Sequence, residues 1–194
     1  MNKKTKTVAL AGIMSALMIV LFTLETVIGA MWITPPAVLS LSVLFVFCFS
    51  YDWKFGLLSG VIFGVSSLVI AFIVGNPLFI IPTISVLPRV ITGIAAYGIF
   101  YLAKRLCGKG KSNFVKENLP YSIGAFFGII LNTLSVLIAL TLFAPAEYGN
   151  TFAGWLKAVI TLNFPIELAC AVILTPILSK AVLKYKRACG LIGE

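Results

Sequence analysis

No histidine occurs anywhere in the 194 residues, and aspartate and glutamate together number only 6. Without imidazole, serine–histidine hydrolysis and histidine-based metal ligation lose their central group. The four cysteines, Cys48, Cys107, Cys170 and Cys189, form no CxxC pair, which argues against a disulfide framework and against zinc. No GxSxG elbow is present. The segment Leu106 to Ser112 ends like a phosphate-binding loop, but Arg105 stands five positions before Gly110, where that motif needs glycine. An enzyme is therefore not expected, nor a metal or other cofactor. Any solute that this chain concentrates must draw energy from an ion gradient or from a separate ATP-hydrolysing subunit.

What the chain has in abundance is apolar surface: 60% of its residues are hydrophobic, 11% are charged, and its mean hydropathy is +1.09. A helix needs about 20 apolar residues to cross a hydrocarbon core about 30 Å thick. Six runs qualify or nearly do: 7–29, 36–50, 55–74, 86–103, 121–143 and 160–183, the second being short. The fold expected is an all-α integral membrane protein, a six-helix transmembrane bundle forming a single membrane domain in the lipid bilayer. The first run begins like a signal peptide. Its length, its Glu25 and the equally apolar runs behind it make it the first span.

The net charge of +9 raises nucleic acid as a partner, yet the basic residues flank apolar runs without the aromatic interleaving that stacks bases. They read as topology signals. With the N-terminus inside, all 15 lysines and arginines except Arg89 and Lys157 fall on the cytoplasmic side. Both termini are then cytoplasmic, and the loops 30–35, 75–85 and 144–154 face outward. Gly56, Gly60 and Gly64, and Gly124 with Gly128, have the spacing that lets helix backbones approach closely in lipid.

Ionisable groups at membrane depth are costly unless paired, so those present are suspects for function. Glu25, Arg89, Asn163 and Glu167 project toward the outer side, and Asn132 near the middle of its span. In Asn76 to Val90, NPLFIIPTISVLPRV, Pro77 and Pro82 keep the outer loop from becoming helical, Ser85 is placed to cap the next helix, and Pro88 fits its first turn. Arg89 is thereby held at a helix N-terminus, just below the outer surface, where an anion is favoured. It either contacts a ligand or forms a salt bridge with Glu25 or Glu167. Asn163 and Glu167 share a helix face that Pro165 is expected to kink, and they either bind a ligand or stitch helices together. Tyr97, two turns below Arg89, is placed to line a cavity. Trp32, Tyr148 and Trp155 are interface anchors or ligand-stacking rings. Asn150 and Lys157 read as a loop cap and a snorkelling anchor.

Asn76-Pro77, followed by Pro88-Arg89 and Gly93, together with Asn163-Phe-Pro-Ile-Glu167 and Leu174-Thr-Pro-Ile-Leu178, resembles the substrate-binding S component of energy-coupling factor vitamin transporters. The resemblance covers the whole chain. It implies a high-affinity vitamin binder in a prokaryotic plasma membrane, its pocket on the extracellular side and roofed by the first outer loop. Candidate substrate contacts are Arg89, Asn163, Glu167, Tyr97, Asn132, Asn76 and Trp32. It also implies partners: a transmembrane scaffold subunit and two ATPase subunits. The family's AxxxA docking element has its nearest counterpart in Gly12-Ile-Met-Ser-Ala16, with Ala11 and Ser15 on the next register. Glu167 stands where riboflavin-type members carry a lysine, and thiamine-type members use a histidine this chain lacks. Arg89 suits a carboxylate, so pantothenate or a folate is the expected cargo. Two other classes remain open: a self-sufficient ion-coupled secondary transporter using Glu25 or Glu167, and a small membrane scaffold protein.

Overall fold

The computed structural model describes residues 3–29, 37–107, 114–145, 156 and 163–191, and every regular element among them is helical. The elements are α1 (Lys3–Gly29), α2 (Val38–Ser50), α3 (Trp53–Val74), α4 (Pro82–Ser85), α5 (Leu87–Cys107), α6 (Phe114–Phe143) and α7 (Asn163–Ala188). Five stretches are long and apolar enough to cross a membrane: α1, α3, α4 and α5 taken together, α6 and α7.

α2 is the exception, and it organises the rest. Its 13 residues rise only about 20 Å, too little for a hydrocarbon core about 30 Å thick. Every residue from Ser40 to Ser50 is buried, and α1, α3, α5, α6 and α7 all pack on it. A helix that is apolar on all sides belongs in the centre of a bundle. Its rings demand room, and glycine supplies it: a Cβ at Gly128 would stand 2.5 Å from the Phe45 ring, and one at Gly124 would stand 2.7 Å from Phe49. The Phe49 ring in turn stacks on Phe100 of α5, with centroids 4.5 Å apart.

A buried helix must also find partners for the backbone groups at its ends. At the N-terminus of α2, the Ala37 N–H donates to Glu167 Oε1 (3.0 Å), while Leu39 N–H, Ser40 N–H and the Ser40 hydroxyl donate to Glu25. At the C-terminus, Lys186 Nζ donates to the Ser50 carbonyl (2.5 Å) and lies 3.7 Å from the centre of the Tyr51 ring. Anions thus sit at the positive end of the helix dipole and a cation at the negative end.

α3 and α5 touch backbone to backbone. A Cβ on Gly60 would lie 2.5 Å from the Arg89 carbonyl oxygen, and one on Gly64 would lie 2.7 Å from Val86 Cα. The start of α1 meets the residues after α7, since Lys6 Nζ donates to the Cys189 carbonyl (2.8 Å). The two chain ends therefore share one end of the bundle. The opposite, far end gathers the end of α1 and the starts of α2, α5 and α7.

At that far end the structure departs from a simple outer loop over 75–85. α3 stops at Gly75, whose φ of 75° suits glycine, and the Asn76 N–H closes the turn on Ala71. The chain then folds inward. Leu78, Phe79, Ile81 and Ile84 pack against Val136, Ala139, Leu140 and Ala144 along α6 and just beyond it. This apolar plug, with the glycine contacts, sets the Arg89 backbone opposite Gly60, in the first half of α3, and so deeper than just below the surface. Ser85 does not cap α5: its buried hydroxyl donates back to the Phe79 carbonyl. The kink expected at Pro165 turns on the carbonyl of Thr161, which lies outside the described residues.

Candidate functional site

The site is built around one proline and one arginine. In a regular helix the carbonyl of Ile84 would accept the N–H of residue 88, but Pro88 has none. Arg89 fills the vacancy, donating from Nη1 to the Ile84 carbonyl at 2.8 Å. Its guanidinium carbon lies 5.2 Å from the centre of the Phe79 ring. Arg89 is only 8% exposed, its Nε has no hydrogen-bond partner, and among the described residues no carboxylate lies within ion-pair distance. Burying a cation with an unused donor is costly unless another group completes its hydrogen bonding.

The open question of a salt bridge to Glu25 or Glu167 resolves against one. Both carboxylates are engaged with the N-terminus of α2, although Glu167 remains within electrostatic reach of Arg89 and of Glu25. One turn along α5, the Thr92 hydroxyl donates to the Pro88 carbonyl (2.8 Å) and lies 3.5 Å from Asn132 Oδ1 on α6. Arg89, Thr92 and Asn132 thus hold neighbouring positions on the α5–α6 pair.

The other candidates lie elsewhere. Tyr97 is half-buried against the central core and pairs with Tyr101, ring centroids 6.4 Å apart, rather than with Arg89. Asn76 is exposed and accepts the Leu78 N–H through its own Oδ1 (3.3 Å), a turn-forming bond. Gly12 and Ala16 are exposed on α1, and a Cβ on Gly12 would meet nothing within 4 Å. Asn163 opens α7, but its side chain lies outside the described residues, as do Trp32, Tyr148, Asn150, Trp155 and Lys157. Sequence reasoning missed Phe79, Thr92 and the Ile84 carbonyl. The last was discoverable, because a proline always leaves unpaired the carbonyl four residues before it in a helix.

Residues 6–179 match the family described as "ECF transporter, substrate-specific component". The chain is also 28% identical, over 204 aligned positions, to the pantothenic acid transporter PanT of Lactococcus lactis subsp. cremoris (strain MG1363), an alignment that covers 95% of this chain and 97% of that protein. No solved structure matches it. With nearly the whole helical bundle inside the matched region, the chain belongs to the substrate-specific components of energy-coupling factor transporters, a family of multi-pass membrane transport proteins rather than enzymes.

Proposed function

We propose that this chain captures pantothenate at the outer face of the plasma membrane and passes it inward through a scaffold subunit driven by two ATPases. The observation that carries the proposal is Arg89, buried 8% exposed with an unpartnered Nε and no ion pair among the described residues. Pantothenate has one carboxylate for that guanidinium, and hydroxyl and amide groups for a polar surface such as Thr92 and Asn132. The name of the Lactococcus relative points to the same vitamin. Both chain termini are assigned to the cytoplasm: the basic residues crowd that end of the bundle, and Lys6 meets the Cys189 carbonyl there. The end of the bundle that holds the starts of α5 and α7 then faces outward. On α1, Gly12 and Ala16 present a smooth exposed face of the kind on which another transmembrane helix packs.

Calorimetric titration of the purified protein in detergent tests the cargo. Pantothenate binds without nucleotide or an ion gradient, and Arg89→Ala weakens it by at least about tenfold, the order expected for loss of a charge-assisted bond. Undiminished binding by Arg89→Ala removes that residue from the site. Tight binding of a different vitamin in place of pantothenate replaces the cargo.

A further inference from the structure

Two parts of one short segment hold the Arg89 side chain. The plug between α3 and α5 folds back on itself, since the buried Ser85 hydroxyl donates to the Phe79 carbonyl, and it packs against Val136 and Leu140 of α6. That fold brings the Phe79 ring and the Ile84 carbonyl to the same guanidinium. The carbonyl accepts from Nη1 at 2.8 Å, and the ring centre lies 5.2 Å from the guanidinium carbon, within cation–π reach. The two contacts do different things. A single hydrogen bond fixes one point and leaves the flat group free to pivot about it. The ring restrains that pivot. An arginine keeps its charge when buried, and Arg89 is only 8% exposed, so little water screens its attraction to the electron-rich face.

Resting on the reading that a ligand carboxylate seats against Arg89, we infer that Phe79 is a positioning residue: its ring holds the charged guanidinium in the pose that the carboxylate meets. An aliphatic side chain of similar size fills the same space in the plug but offers no electron-rich face. Without that face the guanidinium pivots on its bond to Ile84, and binding then includes the cost of ordering it, so affinity falls. What matters is the charge distribution of the ring. Fluorine atoms on the ring withdraw electron density from its face while hardly altering its shape, which separates this role from packing.

Calorimetric titration of the full-length protein with pantothenate in detergent tests the inference, using Phe79→Leu and, separately, exchange of Phe79 for trifluorophenylalanine. The fluorinated ring lowers affinity by at least about threefold and leucine lowers it by about tenfold. In an Arg89→Ala background both changes lose their effect, because the ring acts through the cation. A second readout needs no ligand: the fluorinated ring lowers the thermal unfolding midpoint when Arg89 is present and leaves it unchanged in Arg89→Met. The inference alone is overturned if Arg89→Ala weakens pantothenate binding while the fluorinated protein binds it like the unaltered one. It is also overturned if fluorination acts equally with and without Arg89, the pattern of a side chain that only packs the plug. Undiminished binding by Arg89→Ala, or no pantothenate binding at all, discards the carboxylate reading and the positioning role with it. Because the fluorinated ring keeps the plug filled, the comparison stands even if Phe79→Leu fails to fold.

Discussion

Glu167 and Lys186, both on α7, hold α2 by its opposite ends: the carboxylate accepts the Ala37 N–H at 3.0 Å and the ammonium donates to the Ser50 carbonyl at 2.5 Å. One helix thereby satisfies unpaired groups at both ends of another that is too short to reach the membrane surfaces itself. The arrangement makes α7 a brace for α2.

Lys186 should therefore matter to stability although it is remote from any ligand. Lys186→Met leaves the Ser50 carbonyl buried without its donor, a loss of about 1–3 kcal/mol. Thermal unfolding in detergent should show a clear fall in midpoint, with pantothenate affinity per folded molecule little changed. An unshifted midpoint would mean that water replaces the ammonium without cost.

The α3–α5 contact predicts a contrast between two glycines. Gly60→Ala forces a methyl group to within 2.5 Å of the Arg89 carbonyl oxygen, a backbone atom that cannot step aside without moving α5. Overpacking of this kind costs about 1–3 kcal/mol and displaces the arginine, so stability and binding fall together. Gly98→Ala has nothing within 4 Å and should be neutral or stabilising by up to about 1 kcal/mol. Thermal shift assays on the pair check both expectations. Equal behaviour would show that the interface is looser than its contacts indicate.

Pro88 should act on binding without touching the ligand. Pro88→Ala restores an N–H that competes with Arg89 for the Ile84 carbonyl, so the guanidinium loses its anchor. Pantothenate affinity falls by about three- to tenfold, the equivalent of one hydrogen bond. In a cycle with Arg89→Ala the two changes are non-additive, because the proline acts through the arginine. Additive losses in titrations of the four proteins would separate them.

On α1, Gly12→Leu adds a side chain to an open, exposed position and so leaves the bundle and its pantothenate affinity intact. Uptake in vesicles containing the complete transporter should fall by at least about tenfold if a partner helix packs there, since close approach depends on small residues. Unimpaired uptake would place the partner on another face.

Hydropathy alone made the helical, membrane-type architecture legible, because runs such as 55–74 and 121–143 leave a chain little else to form. It could not separate α2 from a true span. Composition records that a helix is apolar all round, but not whether lipid or protein surrounds it. Arg89 stood out as a cation in an apolar setting, whereas its depth depended on how closely α5 approaches Gly60, a tertiary fact. Glu25 and Glu167 drew attention as intramembrane acids. Their use as caps for a helix many residues away left no local signature, since neither is near Ala37 in sequence. The apolar stretch Phe79 to Ile84 read as a loop because its prolines were visible and its packing partners on α6 were not.

The acceptor that aims Arg89 is a main-chain carbonyl exposed by an imino acid, so it does not depend on which side chain occupies position 89. An exchange of that arginine for another donor would inherit the same foothold while altering the local charge. The proline step is thus a socket that the backbone alone maintains, open to whatever hydrogen-bond donor the neighbouring residue carries.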